Sequence, residues 1–149
     1  MLSPPLERVA IARLVPHAGS MCLLDRVTGW DHDSIRASAA GHRDLGNPLR
    51  RDSMLPAVCG VEYALQAMAV HGALTGQDGA PQPAGFLASL RNLLLGADRL
   101  DDVTEDLSIE ATALARETRS FVYSFEVRAA SRLLLSGQAA IIIPGGDTA

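Results

Sequence analysis

The sequence predicts an α+β domain in which antiparallel strands wrap one long apolar helix. Three observations point there. Residues 56–74 read PAVCGVEYALQAMAVHGAL, apolar nearly all the way round, as a helix enclosed by other elements would be. After them the chain turns to β-type runs, clearest at 120–128, where Phe121, Tyr123, Phe125 and Val127 alternate with Val122, Ser124, Glu126 and Arg128. Before them stand one short helical pattern and two strand-like runs.

The elements follow in order. Residues 6–14 space Leu6, Val9, Ala10 and Leu14 as a short helix that Pro16 stops. Residues 21–27 are an apolar strand candidate, and 34–40 alternate weakly through Ile35, Ala37 and Ala39. Residues 42–53, rich in charge, Asn and Pro, read as a loop. Pro56 suits the first turn of the central helix, where its missing N–H costs nothing. Residues 75–84 are a Gly- and Pro-rich surface loop. Strands follow at 85–95, 106–116, 120–128 and 133–143, with hairpin turns at 117–119 and 130–131.

Composition bounds the rest. The 149 residues make one ordinary domain, 1–149, and 48% hydrophobic content is enough for a core. A formal net charge of −4 argues against nucleic acid as a partner. All 13 cationic side chains are arginine, so Schiff-base and P-loop lysine chemistry are excluded. Pro4, Pro5 and Glu7 do not suit a secretion signal. The longest apolar stretch, 54–70, is interrupted by Glu62 and Gln66 and is short of a membrane span. Cys22 and Cys59 lack metal or redox spacing and read as buried free thiols. The expectation is a cytoplasmic protein with no membrane partner and no bound metal.

Glu62 is the most informative residue. Amid Val58, Val61, Leu65 and Met68 a carboxylate is expected to be desolvated, and must then be paired or protonated. A helix-start carboxylate aided by the dipole is the plainer reading; a general acid is the functional one. Gln66 sits one turn on and can hydrogen-bond Glu62. His71, nine residues past Glu62, falls half a turn round the helix and reads as a helix-end histidine. Tyr63 reads as packing, and His32 as a surface turn. His42, after Gly41 at a strand end, is the first candidate partner for Glu62, and His17 in the opening loop is the alternative.

These residues bring a family into view. Residues 16–27, PHAGSMCLLDRV, resemble the opening PHRxPFLLVDRV of β-hydroxyacyl-acyl-carrier-protein dehydratases of the fatty-acid type. Leu55-Pro56 followed by Glu62 and Gln66 resembles that family's MPGxxxxEAxxQ helix start, and the whole helix is similar to the dehydratase-like proteins of aryl polyene gene clusters. The resemblance implies a hotdog fold, a homodimer or heterodimer with another hotdog subunit, and a substrate carried on the phosphopantetheine of an acyl carrier protein, with no further cofactor. It implies that a histidine and an acidic residue from different subunits meet at the acyl tunnel. Glu62 takes the acidic position directly. The histidine is displaced: His42 has the right preceding context if 43–53 hold an insertion, and Ala57 stands where the family has glycine. Ala57, Val58 and Gln66 are then the substrate-binding candidates, with N–H groups at the helix start polarising the thioester carbonyl. Arg50 and Arg51 read as a solvated pair in the loop before it. The activity implied is elimination of water from a 3-hydroxyacyl thioester. A non-catalytic partner subunit of a heterodimeric dehydratase, and a hotdog acyl thioesterase, are the alternatives.

Overall fold

A computed structural model of the chain describes residues 2–15, 22–76 and 85–143. The opening residues form β1 (Leu6–Glu7) and α1 (Arg8–Leu14), whose buried Ile11 and Leu14 anchor it to the core. Then come β2 (Arg26–Trp30) and β3 (Ser34–Ala39). The central helix α2 (Gly60–Thr75) is entered through a 3-10 turn, Ala57–Cys59. Four long strands close the chain: β4 (Phe86–Leu95), β5 (Leu107–Arg116), β6 (Ser120–Ala129) and β7 (Arg132–Ile142).

The seven strands among the described residues form one sheet, ordered β1-β2-β3-β5-β6-β7-β4, with antiparallel neighbours throughout. Helix α2 packs on its inner face against β5, β3 and β6. Alternation decides which side chains meet it. Tyr123, Phe125, Val127 and Ala129 of β6 are buried, as are Leu107, Ile109 and Ala111 of β5. They join Tyr63, Ala64, Ala67, Met68 and Val70 of α2 in one core. This is the helix-in-sheet arrangement that the sequence predicts. The helix start comes close to β7: a Cβ on Gly60 would lie 2.5 Å from Leu135 Cδ2, so glycine is what permits this approach.

Two expectations are corrected. The strand expected over 21–27 is β2, and it begins at Arg26. Cys22, Leu23 and Leu24 are buried but irregular, and the Leu23 N–H donates to Gln66 Oε1 at 2.8 Å instead of to a neighbouring strand. The central helix is not enclosed on every side: Val58 is 46% exposed and Glu62 is exposed in the single chain. Among the described residues no helix is long and apolar enough to cross a membrane.

Candidate active site

Strand β3 ends at Ala39 and runs into the 3-10 turn Gly41–Arg43, which carries His42. His42 is fully buried. Its Nε2 lies 2.9 Å from the Val103 carbonyl oxygen. A carbonyl only accepts, so the neutral ring carries its proton on Nε2 and leaves its lone pair on Nδ1. Nδ1 has no hydrogen-bond partner among the described residues. The neighbouring Arg43 guanidinium donates to the Thr104 carbonyl, which fixes the same turn from its other side. Asn47 Nδ2 donates to Gly41 O at 3.1 Å and to the Tyr63 hydroxyl at 3.0 Å, tying the turn to α2.

The helix start is held as firmly. The Ala57 N–H donates to Asp98 O at 3.0 Å, the Cys59 N–H to Pro56 O at 3.0 Å, and Ala57 itself is buried. Of the 3-10 turn, Val58 therefore remains the candidate N–H donor for a substrate carbonyl. Glu62 lies one turn further on, exposed on the same side of the helix as the exposed Val58. The desolvation expected of Glu62 is thus not met within one chain. Cys59 is half-buried beside it. Burial first, and then the Glu62 charge, push the Cys59 thiol above its ordinary value, while Arg51 opposes them. That keeps the sulfur a thiol and argues against a nucleophilic role.

The structure therefore brings the two predicted groups to different environments: His42 buried against the Val103 carbonyl, Glu62 on the open side of α2. The Gln66 carbonyl oxygen accepts the Leu23 N–H at 2.8 Å, so it serves the segment before β2. His17 lies outside the described residues. Arg50 spends its guanidinium on Arg43, Asp44 and Ser53 carbonyls, so it shapes the loop. His32 is exposed at the β2–β3 turn, as expected.

His71 lies near the C-terminal end of α2, as expected, but it does not end on the surface. It is fully buried, with Nδ1 2.7 Å from the Tyr123 hydroxyl and Nε2 2.9 Å from Asp31 O, and it joins α2 to β6 and to the β2–β3 turn. Burial, the largest influence, makes it a weaker base than a free histidine. One further group escaped sequence reasoning. The Asp101 carboxylate is almost wholly buried, accepts the Leu55 N–H at 2.8 Å and pairs with Arg99 at 2.5 Å. Its hydrogen bonds to Arg99 hold it well below the usual carboxylate range. The sequence signal was only an Asp-rich turn.

Comparison with known proteins places this geometry. Residues 9–149 match the ApeP-like family, described as ApeP dehydratase. No curated protein matches. Among solved structures the dehydratase heterocomplex ApeI:P from Xenorhabdus doucetiae superimposes with a TM-score of 0.79 at 21% identity, covering 91% of each chain. A mutant thioesterase from Pseudomonas aeruginosa gives 0.57 at 14% identity over 78% of each chain. A thioesterase from Haemophilus influenzae gives 0.57 at 14% identity over 78% of this chain and 75% of that one. These likenesses establish the hotdog fold, and with the match over residues 9–149 the chain belongs to the ApeP-like dehydratase family.

Proposed function

We propose that this chain is a 3-hydroxyacyl-thioester dehydratase subunit that works against a second hotdog subunit, on substrates borne by an acyl carrier protein. The observation that carries the reading is the state of His42. Its Nε2–H is spent on Val103, and its Nδ1 keeps an unshared pair with no partner among the described residues. That is the form a general base needs. In the proposed reaction Nδ1 takes a proton from C2 of the 3-hydroxyacyl thioester. The C2–H electron pair becomes the C2–C3 double bond, and the C3–O bond breaks. A protonated Glu62 gives its proton to the departing hydroxyl, which leaves as water. The product is a trans-2-enoyl thioester, and the proton on His42 later returns to Glu62. The Val58 N–H is the proposed donor to the thioester oxygen.

Glu62 stands exposed on α2 and Val58 on the turn that leads into it, and β4 presents Phe86 at 63% and Leu94 at 65% exposure on a strand that pairs only with β7 among the described residues. An apolar sheet edge of this kind needs a cover. The ApeI:P structure is of a heterocomplex, which supports a hotdog subunit in that place. Such a subunit also supplies the low-dielectric surroundings that Glu62 lacks alone. The test is Glu62→Gln, assayed with the partner subunit present on a carrier-bound 3-hydroxyacyl thioester. Enoyl-thioester formation should fall about 100-fold or more. Unchanged turnover would remove Glu62 from the mechanism.

One observation favours a second reading. His42 is completely covered in the single chain, which suits a subunit that supports a catalytic partner without turning over substrate itself. Turnover that persists in His42→Ala of this chain, but disappears when the partner is omitted, supports that reading. The thioesterase alternative is separated by product: free acid and thiol in place of an enoyl thioester.

A further inference from the structure

The connection between β4 and β5 touches both halves of the proposed site. Leu100 N–H donates to Leu55 O at 2.8 Å, and Ala57 N–H donates back to Asp98 O at 3.0 Å, so 98–100 run as a short antiparallel strap along the residues that enter α2. Asp101 adds a side-chain clamp on the same segment. Its Oδ1 accepts the Leu55 N–H, and Arg99 holds both of its oxygens, with Nε at 3.1 and 3.2 Å. The same segment continues to 104 and supplies the Val103 and Thr104 carbonyls that hold His42 and Arg43. Leu100 and Val103 are buried, which roots the strap in the core. The path from Leu55 to the His42 ring is thus short, continuous and hydrogen-bonded.

We infer that Asp101 is a positioning residue: by clamping Leu55 and the 98–104 strap together, it sets the α2 entry and, through Val103, the tautomer of His42. The inference rests on the catalytic reading of His42 for its effect on rate, but its geometry is independent of that reading. A carboxylate suits the place because it is an acceptor only, and because its charge keeps Arg99 within the strap. Removing it leaves the Leu55 N–H buried without an acceptor and frees Arg99 to leave. The strap then no longer has a fixed distance to the His42 turn.

The test compares wild type, Asp101→Ala and Asp101→Asn by nitrogen-15 NMR of the histidine rings and by amide exchange at Leu55, with turnover measured beside the partner subunit. In the wild type His42 should show a protonated Nε2 and a bare Nδ1. In Asp101→Ala the two tautomers should mix, Leu55 exchange should accelerate, and kcat should drop about 10- to 100-fold with KM little changed. Asp101→Asn retains an oxygen acceptor and should recover the Leu55 protection and most of the His42 tautomer. If Asp101→Ala proves unfolded, the Asn variant carries the comparison through the partial loss of the tautomer that follows from freeing Arg99. A wild-type tautomer and wild-type Leu55 exchange in every folded variant would overturn the inference. A shifted tautomer in a protein whose turnover does not depend on His42 supports the positioning and overturns the catalytic reading.

Discussion

Replacing Tyr123 by phenylalanine isolates one hydrogen bond. The rings of Tyr123 and His71 meet edge to face, with centroids 5.6 Å apart and planes at 85°, and phenylalanine keeps that contact. What is lost is the hydroxyl 2.7 Å from His71 Nδ1. The direction of that bond follows from the other side of the ring. Asp31 O takes the Nε2–H, so Nδ1 accepts and Tyr123 donates. Burial pushes the Tyr123 hydroxyl up to about 12, so it keeps its proton at neutral pH. In Tyr123→Phe the Nδ1 lone pair is left buried without a donor, at a cost of about 1–3 kcal/mol. For a domain of this length that lowers Tm by roughly 2–12 °C. Thermal unfolding followed by circular dichroism reads it, and a double-mutant cycle with His71→Leu should give a coupling of at least about 0.5 kcal/mol. A Tm shift under about 1 °C, or a vanishing coupling, would show that the bond does not hold α2 to β6.

His71 is a weaker base in the folded chain than in the unfolded one, so between its folded value and about 6.5 the unfolded chain binds the extra proton. Its share of stability is therefore complete above about pH 6.5 and is lost as pH falls below it; urea unfolding at several pH values should show a shallower fall below pH 6.5 for His71→Leu than for wild type. At the sheet edge, the double variant Phe86→Glu, Leu94→Glu should keep the wild-type circular dichroism spectrum yet lose its subunit partner in sedimentation, since both side chains are exposed on β4. An unchanged sedimenting mass would place the subunit interface elsewhere.

What the sequence disclosed was whatever a local pattern can encode. The alternation of 120–128 named the buried face of β6 correctly, and Pro56 with the apolar run behind it located the central helix to within a turn. The failures share a cause, a partner far away in the chain. Cys22 to Leu24 have the apolar content of a strand, but Leu23 gives its N–H to Gln66, 43 residues on, and no hydrophobicity pattern reports that. His71 and Tyr123 are 52 residues apart, though each alone faced inward on its own element. Asp101 looked like one more acid in a turn until Leu55, 46 residues back, was seen to need its oxygen.

Glu62 is the instructive case, because the expectation about it was sound at the wrong level. A helix apolar on every face should be covered on every face. One chain's sheet covers only the side that carries Tyr63, Ala64, Ala67 and Met68, and leaves Val58 and Glu62 outside. The unmet burial is what the proposed partner subunit would account for. It joins the exposed apolar residues of β4 in calling for a second body. A carboxylate within such a face is costly to cover unless it is engaged, so a subunit that covers Val58 must also bring Glu62 a partner, and the Glu62→Gln variant tests both the interface and the proposed chemistry at once.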